Sequence, residues 1–302
     1  MVTQKLVTGR RGKLLAFFFL AVSLALIGRV LWSNWDLLAG YRWQIRPLWF
    51  VYIVLFFTID LLLASWAWHL LVRRLAHYDN FRHSTKICWS SNLARRMPGP
   101  VWYIAGRAVL YEQVGVSKVT TSLLSALELA FFLISGIVTT LLTSPFWALP
   151  GQWRNSGNQV ALLGVGLVLT VFLVHPRILE WLWQKLGRQT PAGHLRWRDT
   201  LTWLALYVVI WVVGAWVLFS VINLFHTTPL TQVVAITGMW ALAGSVSLAG
   251  ALTFSGMGLR EISLTLLLTQ LVPAPVALVI AITVRLVWFC GELLSSLASL
   301  KL

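Results

Sequence analysis

Asp60, Glu128, Arg285 and Glu292 each stand inside a long apolar run. An ionised side chain there costs roughly 2.5–3.5 kcal/mol on membrane-insertion scales. Charges kept in such places point to a partner of opposite sign, a polar path or a proton site. Glu128 and Arg285 are the obvious candidates for one bridge. Glu128 belongs to a stripe, Thr121, Ser125, Glu128, Ser135 and Thr139, whose steps of four, three, seven and four put it on one helix face interrupted only by Phe132. That face should look into the bundle interior or a wet cavity. Arg285 and Glu292, seven apart, share another face that Ser299 continues. A coupling ion pair and a static interhelical bridge both fit these patterns.

A second kind of chemistry gathers in two broken segments. SNLARRMPGPVWYIAGRAVLYEQV (Ser91–Val114) and TFSGMGLREISLTLLLTQLV (Thr253–Val272) are too apolar for loops, and each is interrupted by Gly or Pro beside arginine. Pro98, Gly99 and Gly106 are the expected helix breaks in the first, Gly256 and Gly258 in the second. Backbone N–H groups freed at a broken helix start, with Arg95, Arg96, Arg107 or Arg260, suit a phosphate. In a membrane the anion at hand is a phospholipid or polyprenyl-phosphate head group. Arg95 and Arg96 fit topology setting equally well. Arg107 and Arg260 each follow a Gly within an apolar stretch. Glu128, Arg285, Glu261, Glu292 and Asp60 complete the expected cavity and coupling set.

The elements that must position these groups are membrane helices. The chain has 302 residues, 58% hydrophobic and 11% charged, against about 25% charged in soluble domains. Strands are disfavoured because the apolar runs are continuous rather than alternating. Spans are expected at about Leu14–Trp32, Trp49–Leu71, Val119–Leu142, Ala161–Val174, Leu201–Val221, Val233–Leu252 and Val276–Leu297. The first reads as an uncleaved span, since no small-residue cleavage site follows it. Lys and Arg concentrate in the N-terminal tail, in 73–118 and in 175–198, while the alternate loops carry only Arg42, Arg46 and Arg154. This places the N-terminus in the cytoplasm of a multi-pass cell-membrane protein. Ile178–Leu186 reads as a short interfacial helix.

The whole of 1–302 reads as one integral membrane domain with half-repeats at 80–142 and 240–300. After the first break come Gly106-Arg107, Gly115-Val116-Ser117 and a span holding Glu128. After the second come Gly258-Leu259-Arg260, Val272-Pro273-Ala274 and a span holding Arg285. Short Gly/Pro-interrupted segments in matching positions of two halves are the best sequence pointer to a transporter's binding site. An inverted repeat would need one extra crossing, for which Glu261–Leu271 is the candidate. The expected fold is therefore an all-α bundle of seven or eight spans with two broken or re-entrant helical hairpins.

Other classes lack their motifs. No Gly-Lys-Ser/Thr phosphate loop is present. His69, His77, His83, His175, His194 and His226 make no metal spacing, nor do Cys88 and Cys290. The net charge of +15 suits anionic lipid rather than nucleic acid. Asp60 has no second intramembrane aspartate, and the serines lack a nearby intramembrane histidine. No cofactor or metal is expected, and enzymatic activity is disfavoured.

ARRMPGPVWYIAGRAVLYEQVGVSKVTTSLLSALE (Ala94–Glu128) resembles the first signature of the lysylphosphatidylglycerol synthase transmembrane region, a flippase-like membrane family. TFSGMGLREISLTLLL (Thr253–Leu268) resembles the second, usually Pro-Gly-Gly-x-Gly-x-Arg-Glu, with Phe254-Ser255-Gly256 in place of Pro-Gly-Gly. No soluble aminoacyl-transferring domain accompanies them, so the resemblance implies the lipid-translocating half. It implies a transporter of anionic phospholipid or polyprenyl-phosphate lipid. A lipid-linked glycosyl or phosphoryl transferase, or a membrane subunit scaffolding a glycosyltransferase, are the alternatives. Membrane lipids, such a glycosyltransferase and a second copy of the chain are the candidate partners.

Overall fold

A computed structural model describes residues 29, 32–33, 35–41, 43, 45–92, 101–148, 156–187, 194–251 and 258–299. Lipid offers the backbone no hydrogen-bonding partner, so long apolar runs must close their N–H and C=O groups within themselves. The described residues are accordingly helical, with no strand among them. In chain order the helices are α1 (Trp35–Ala39), α2 (Leu48–Ala76), α3 (Phe81–Asn92), α4 (Val101–Glu112), α5 (Lys118–Thr143), α6 (Ser156–Leu173), α7 (Pro176–Gly187), α8 (Trp197–Phe225), α9 (Val233–Ala251), α10 (Leu259–Leu268) and α11 (Ala274–Ala298). Among the described residues α2, α5, α8, α9 and α11 are long and apolar enough to cross a membrane, and α6 with α7 makes a sixth only if a 52° bend is counted within one span. This is the make-up of a multi-pass membrane protein. The expected span Leu14–Trp32 lies almost wholly outside the described residues, as do Arg95, Arg96, Pro98, Gly99 and Gly256.

Helix α8 forms the centre of the bundle and packs on α2, α5, α9 and α11. Ala215, Val217, Leu218, Val221 and Ile222 on it are fully buried. Two sets of contacts define the ends. At one, Arg74 donates to Asp199 (3.1 Å) and to the His194 carbonyl (2.8 Å), joining the end of α2 to the start of α8. At the other, the Arg46 N–H donates to the Leu224 carbonyl (3.0 Å). Helix α5 starts at the first end, where Leu123 and Leu75 line one cleft. It therefore finishes at the second, and Ala148 just beyond it accepts from Gln270 (3.1 Å).

These ends show how the two interrupted segments run. Tyr78, before α3, meets Tyr111, near the end of α4, edge-on at 5.8 Å. Helices α3 and α4 thus make a hairpin with both feet at the Arg74 end. Helix α9 begins at the Leu224 end, and α10 returns to it through Gln270. The hairpins open from opposite ends.

Two expectations fail here. Glu261–Leu271 is no extra crossing, because α10 has 10 residues and spans about 15 Å, half a hydrocarbon core. The opposite orientation comes instead from α10 turning back beside α9. Gly106 is no break either, since α4 runs through it as regular helix. A single helical glycine costs only about 1 kcal/mol, which the packing of α4 on α3 and α5 outweighs. Gly258 does behave as expected. It starts α10 at φ 92°, a conformation that side chains with a Cβ rarely adopt.

The hairpin geometry predicts a labelling pattern. In a Cys290→Ser background, Asn80→Cys and Gln113→Cys should react with an impermeant maleimide from one face of the membrane, and Gln270→Cys from the other. Labelling of Asn80→Cys and Gln113→Cys from opposite faces would show that α3–α4 crosses.

Candidate functional site

Two charged clusters form where the short helices meet long ones. The first is sealed. Arg107 on α4 lies 2.5 Å from Glu128 on α5 (Nη1 to Oε2). Its Nε donates to Ser91 Oγ (3.0 Å) and its Nη2 to Cys88 Sγ (3.3 Å), both on α3. The guanidinium carbon sits 4.0 Å from the Trp68 ring centroid on α2. Trp68 Nε1 in turn donates to Tyr111 OH (2.9 Å). Arg107 is 0% exposed and Glu128 5%. Four helices thus converge on one guanidinium, whose charge is neutralised and whose donors are occupied.

This overturns two expectations. Glu128 pairs with Arg107 rather than bridging to Arg285, because α5 packs against α4 while α11 packs on α10, α8 and α3. Arg107 is enclosed by protein, so it does not line an accessible head-group site. The rest of the α5 stripe is interior as expected: Thr121, Ser125, Ser135 and Thr139 are all buried. Ser135 has a structural task, accepting from Trp211 Nε1 (3.1 Å).

The second cluster is partly accessible. Arg260 on α10 lies 3.9 Å from the Trp240 ring centroid and 5.5 Å from that of Trp288, and the two rings are 4.7 Å apart. Arg285 on α11 donates to Glu261 on α10 (Nη1 to Oε1, 2.7 Å), with side-chain exposures of 22% and 25%. Asp60 reaches in from α2 within Coulomb range of Arg260. Its Oδ1 lies 3.6 Å from where a Cβ would stand on Gly214 of α8, and Trp240 Nε1 only 2.6 Å from it, so the bare glycine makes room for the Trp240 ring. Phe57, one turn before Asp60, packs edge-on against Trp288 (5.5 Å). Glu292 lies two turns beyond Arg285 on α11, half-buried. The structure therefore brings Asp60, Arg260, Glu261 and Arg285 together but separates them from Glu128.

Trp68, Trp240 and Trp288 went unrecognised in the sequence, where tryptophan reads first as an interfacial belt. A guanidinium inside an apolar bundle is most cheaply held over an aromatic face, and that requirement could have flagged them. The ion pairs left a signal too. Arg107 and Glu128 flank the 113–117 turn, and Glu261 and Arg285 flank the 269–273 turn. Antiparallel packing across each turn brings such positions level.

Outside both clusters, His69 does stand beside a serine, contrary to expectation. Its Nε2 lies 3.3 Å from Asp79 Oδ1 and its Nδ1 3.4 Å from Ser84 Oγ. Ser84 is 0% exposed, so no substrate reaches its hydroxyl, and the trio ties the foot of the α3–α4 hairpin to α2. Tyr78 in the same foot lies 2.5 Å from His83 Nδ1. Burial pushes its phenol above the usual range. No group of three metal-ligating side chains occurs among the described residues.

No protein-family model matches the chain, and no curated protein matches it.

The sealed pair predicts a stability effect. Glu128→Gln or Arg107→Ala should cost about 3–5 kcal/mol, as breaking a buried pair does, read as a lower Tm in detergent and loss of the monodisperse peak. The joint change Arg107→Met with Glu128→Leu should recover much of that loss. An unchanged Tm for Glu128→Gln would remove the pair's structural role.

Proposed function

We propose that this protein is a flippase-like lipid transporter resembling the lysylphosphatidylglycerol synthase transmembrane region. Its substrate is an anionic phospholipid or polyprenyl-phosphate-linked lipid. The observation that carries the reading is the Arg260–Glu261–Arg285–Asp60 cluster, partly accessible and mounted on a short helix of a hairpin. Hairpins of short helices facing opposite ends are the way many transporters place a site near the bilayer midplane. In this reading α3–α4 and α9–α10 are re-entrant hairpins of an inverted repeat.

The basic end of the bundle, with Arg73, Arg74, Lys118, Arg177, Lys185, Arg196 and Arg198, faces the cytoplasm by the positive-inside bias. The N-terminus then lies in the cytoplasm and the protein in the cell membrane. A lipid phosphate would enter beside Arg260, whose planar guanidinium is held flat on Trp240. The phosphate could take over Arg285 from Glu261, an exchange of one anion for another. The tails would stay in the bilayer throughout. Glu261, which is partly exposed, takes the coupling role that the sequence suggested for Glu128, with Asp60 buried beside Arg260. Lacking a phosphate-binding loop for ATP, the protein would move lipid downhill or coupled to an ion gradient.

Reconstitution in liposomes checks this. Purified protein should translocate a head-group-accessible fluorescent phosphatidylglycerol, measured by dithionite quenching, and Arg260→Ala should slow it at least tenfold while keeping the wild-type elution profile. Equal rates for Arg260→Ala and wild type would dismiss the site. Formation of a covalent lipid product would favour a transferase, and activity only with an added glycosyltransferase would favour the scaffold.

A further inference from the structure

The bundle holds a second lipid-suited feature, away from the Arg260 cluster and independent of the transport reading. Beneath α7 lies a cleft of about 220 Å³, open to one side and lined by Leu75 of α2, Leu123 and Leu127 of α5, Leu173 of α6, and Leu179 and Leu182 of α7. Every described side chain on its wall is apolar or aromatic. Such walls gain nothing from water. An apolar cavity of about 150 Å³ stays dry and takes up benzene.

Helix α7 is fixed over the cleft by its own contacts. Glu180 accepts the Leu195 N–H and lies 3.6 Å from His194. Arg74 holds the His194 carbonyl (2.8 Å). The 52° bend between α6 and α7 is what leaves room below. The apolar face of α7 looks into the cleft, and its other face carries exposed Arg177 and Lys185. Lys185 Nζ lies 4.8 Å from the Trp181 ring centroid, and Trp181 is exposed as an interfacial tryptophan should be. Arg196 and Arg198 add to the same exposed rim. Its carboxylates are already used, Glu180 by the 194–195 loop and Asp199 by Arg74.

We infer that this cleft binds one hydrocarbon chain of an anionic glycerophospholipid whose head group rests on the Arg177–Lys185 rim. An apolar slot open toward the bilayer selects a lipid tail. Exposed basic side chains on the outer face of the helix that covers the slot select the negative head group. The bound lipid holds α7 against α2 and α5.

Photolabelling of the full chain in nanodiscs tests it, using phosphatidylglycerol with a diazirine on one acyl chain. Label should map to peptides covering 123–134 and 173–183. Unlabelled phosphatidylglycerol should compete at least fivefold better than phosphatidylcholine. Ala130→Phe, which fills the cleft from α5, should cut labelling at least fivefold. Arg177→Gln with Lys185→Gln should abolish the head-group preference while leaving the labelled peptides the same. Arg260→Ala should leave labelling unchanged, which separates this site from the transport site. Labelling insensitive to Ala130→Phe, or equal competition by phosphatidylcholine, overturns the proposal. So does labelling that arises only after deletion of residues 1–28, which would make the chain's own N-terminal segment the occupant.

Discussion

A guanidinium with no access to water must bring its own solvation. Around Arg107 this is supplied by a carboxylate, a hydroxyl, a thiol and an indole face from three neighbouring helices. Each partner alone is a weak reason for a helix to sit where it does. Together they are a strong one, because the cost of stranding the charge falls on any arrangement that separates them. The α3–α4 hairpin is too short to be anchored by spanning the bilayer. Its position depends on this pair and on the His69–Asp79–Ser84 contacts at its foot.

The two clusters use the same parts to different ends. In the first, the short helix carries the arginine and the long one the glutamate; in the second, Glu261 is on the short helix and Arg285 on the long. A tryptophan lies under an arginine of the short helix in both, Trp68 beneath Arg107 and Trp240 beneath Arg260. The difference is burial. One cluster is closed by α2 and α3 and acts as a clasp. The other stays partly exposed between α2, α10 and α11.

Much of this was readable from the residues. The long helices follow from apolar run length, and their boundaries at Leu48–Ala76, Lys118–Thr143, Trp197–Phe225, Val233–Ala251 and Ala274–Ala298 lie within a few residues of those expected. The interior face of α5 followed from its periodicity. Gly258 marked a helix start because its conformation is a local property. Gly106 misled for the complementary reason. A glycine within a helix looks like a glycine that ends one, and only the contacts of the surrounding turns tell them apart.

What the sequence by itself determined is the class of structure and the set of costly charges, because both are set by the bilayer as solvent and need no knowledge of neighbours. Which charge meets which was decided by the tertiary structure. Glu128 had two arginines of suitable chemistry, and the choice of Arg107 over Arg285 depends on the order in which helices pack around α8. The same holds for exposure. Arg107 and Arg260 look alike in the sequence, each after a glycine in an apolar stretch. The enclosing positions of α2 and α3 make the first an interior strut, while the second stays only partly buried.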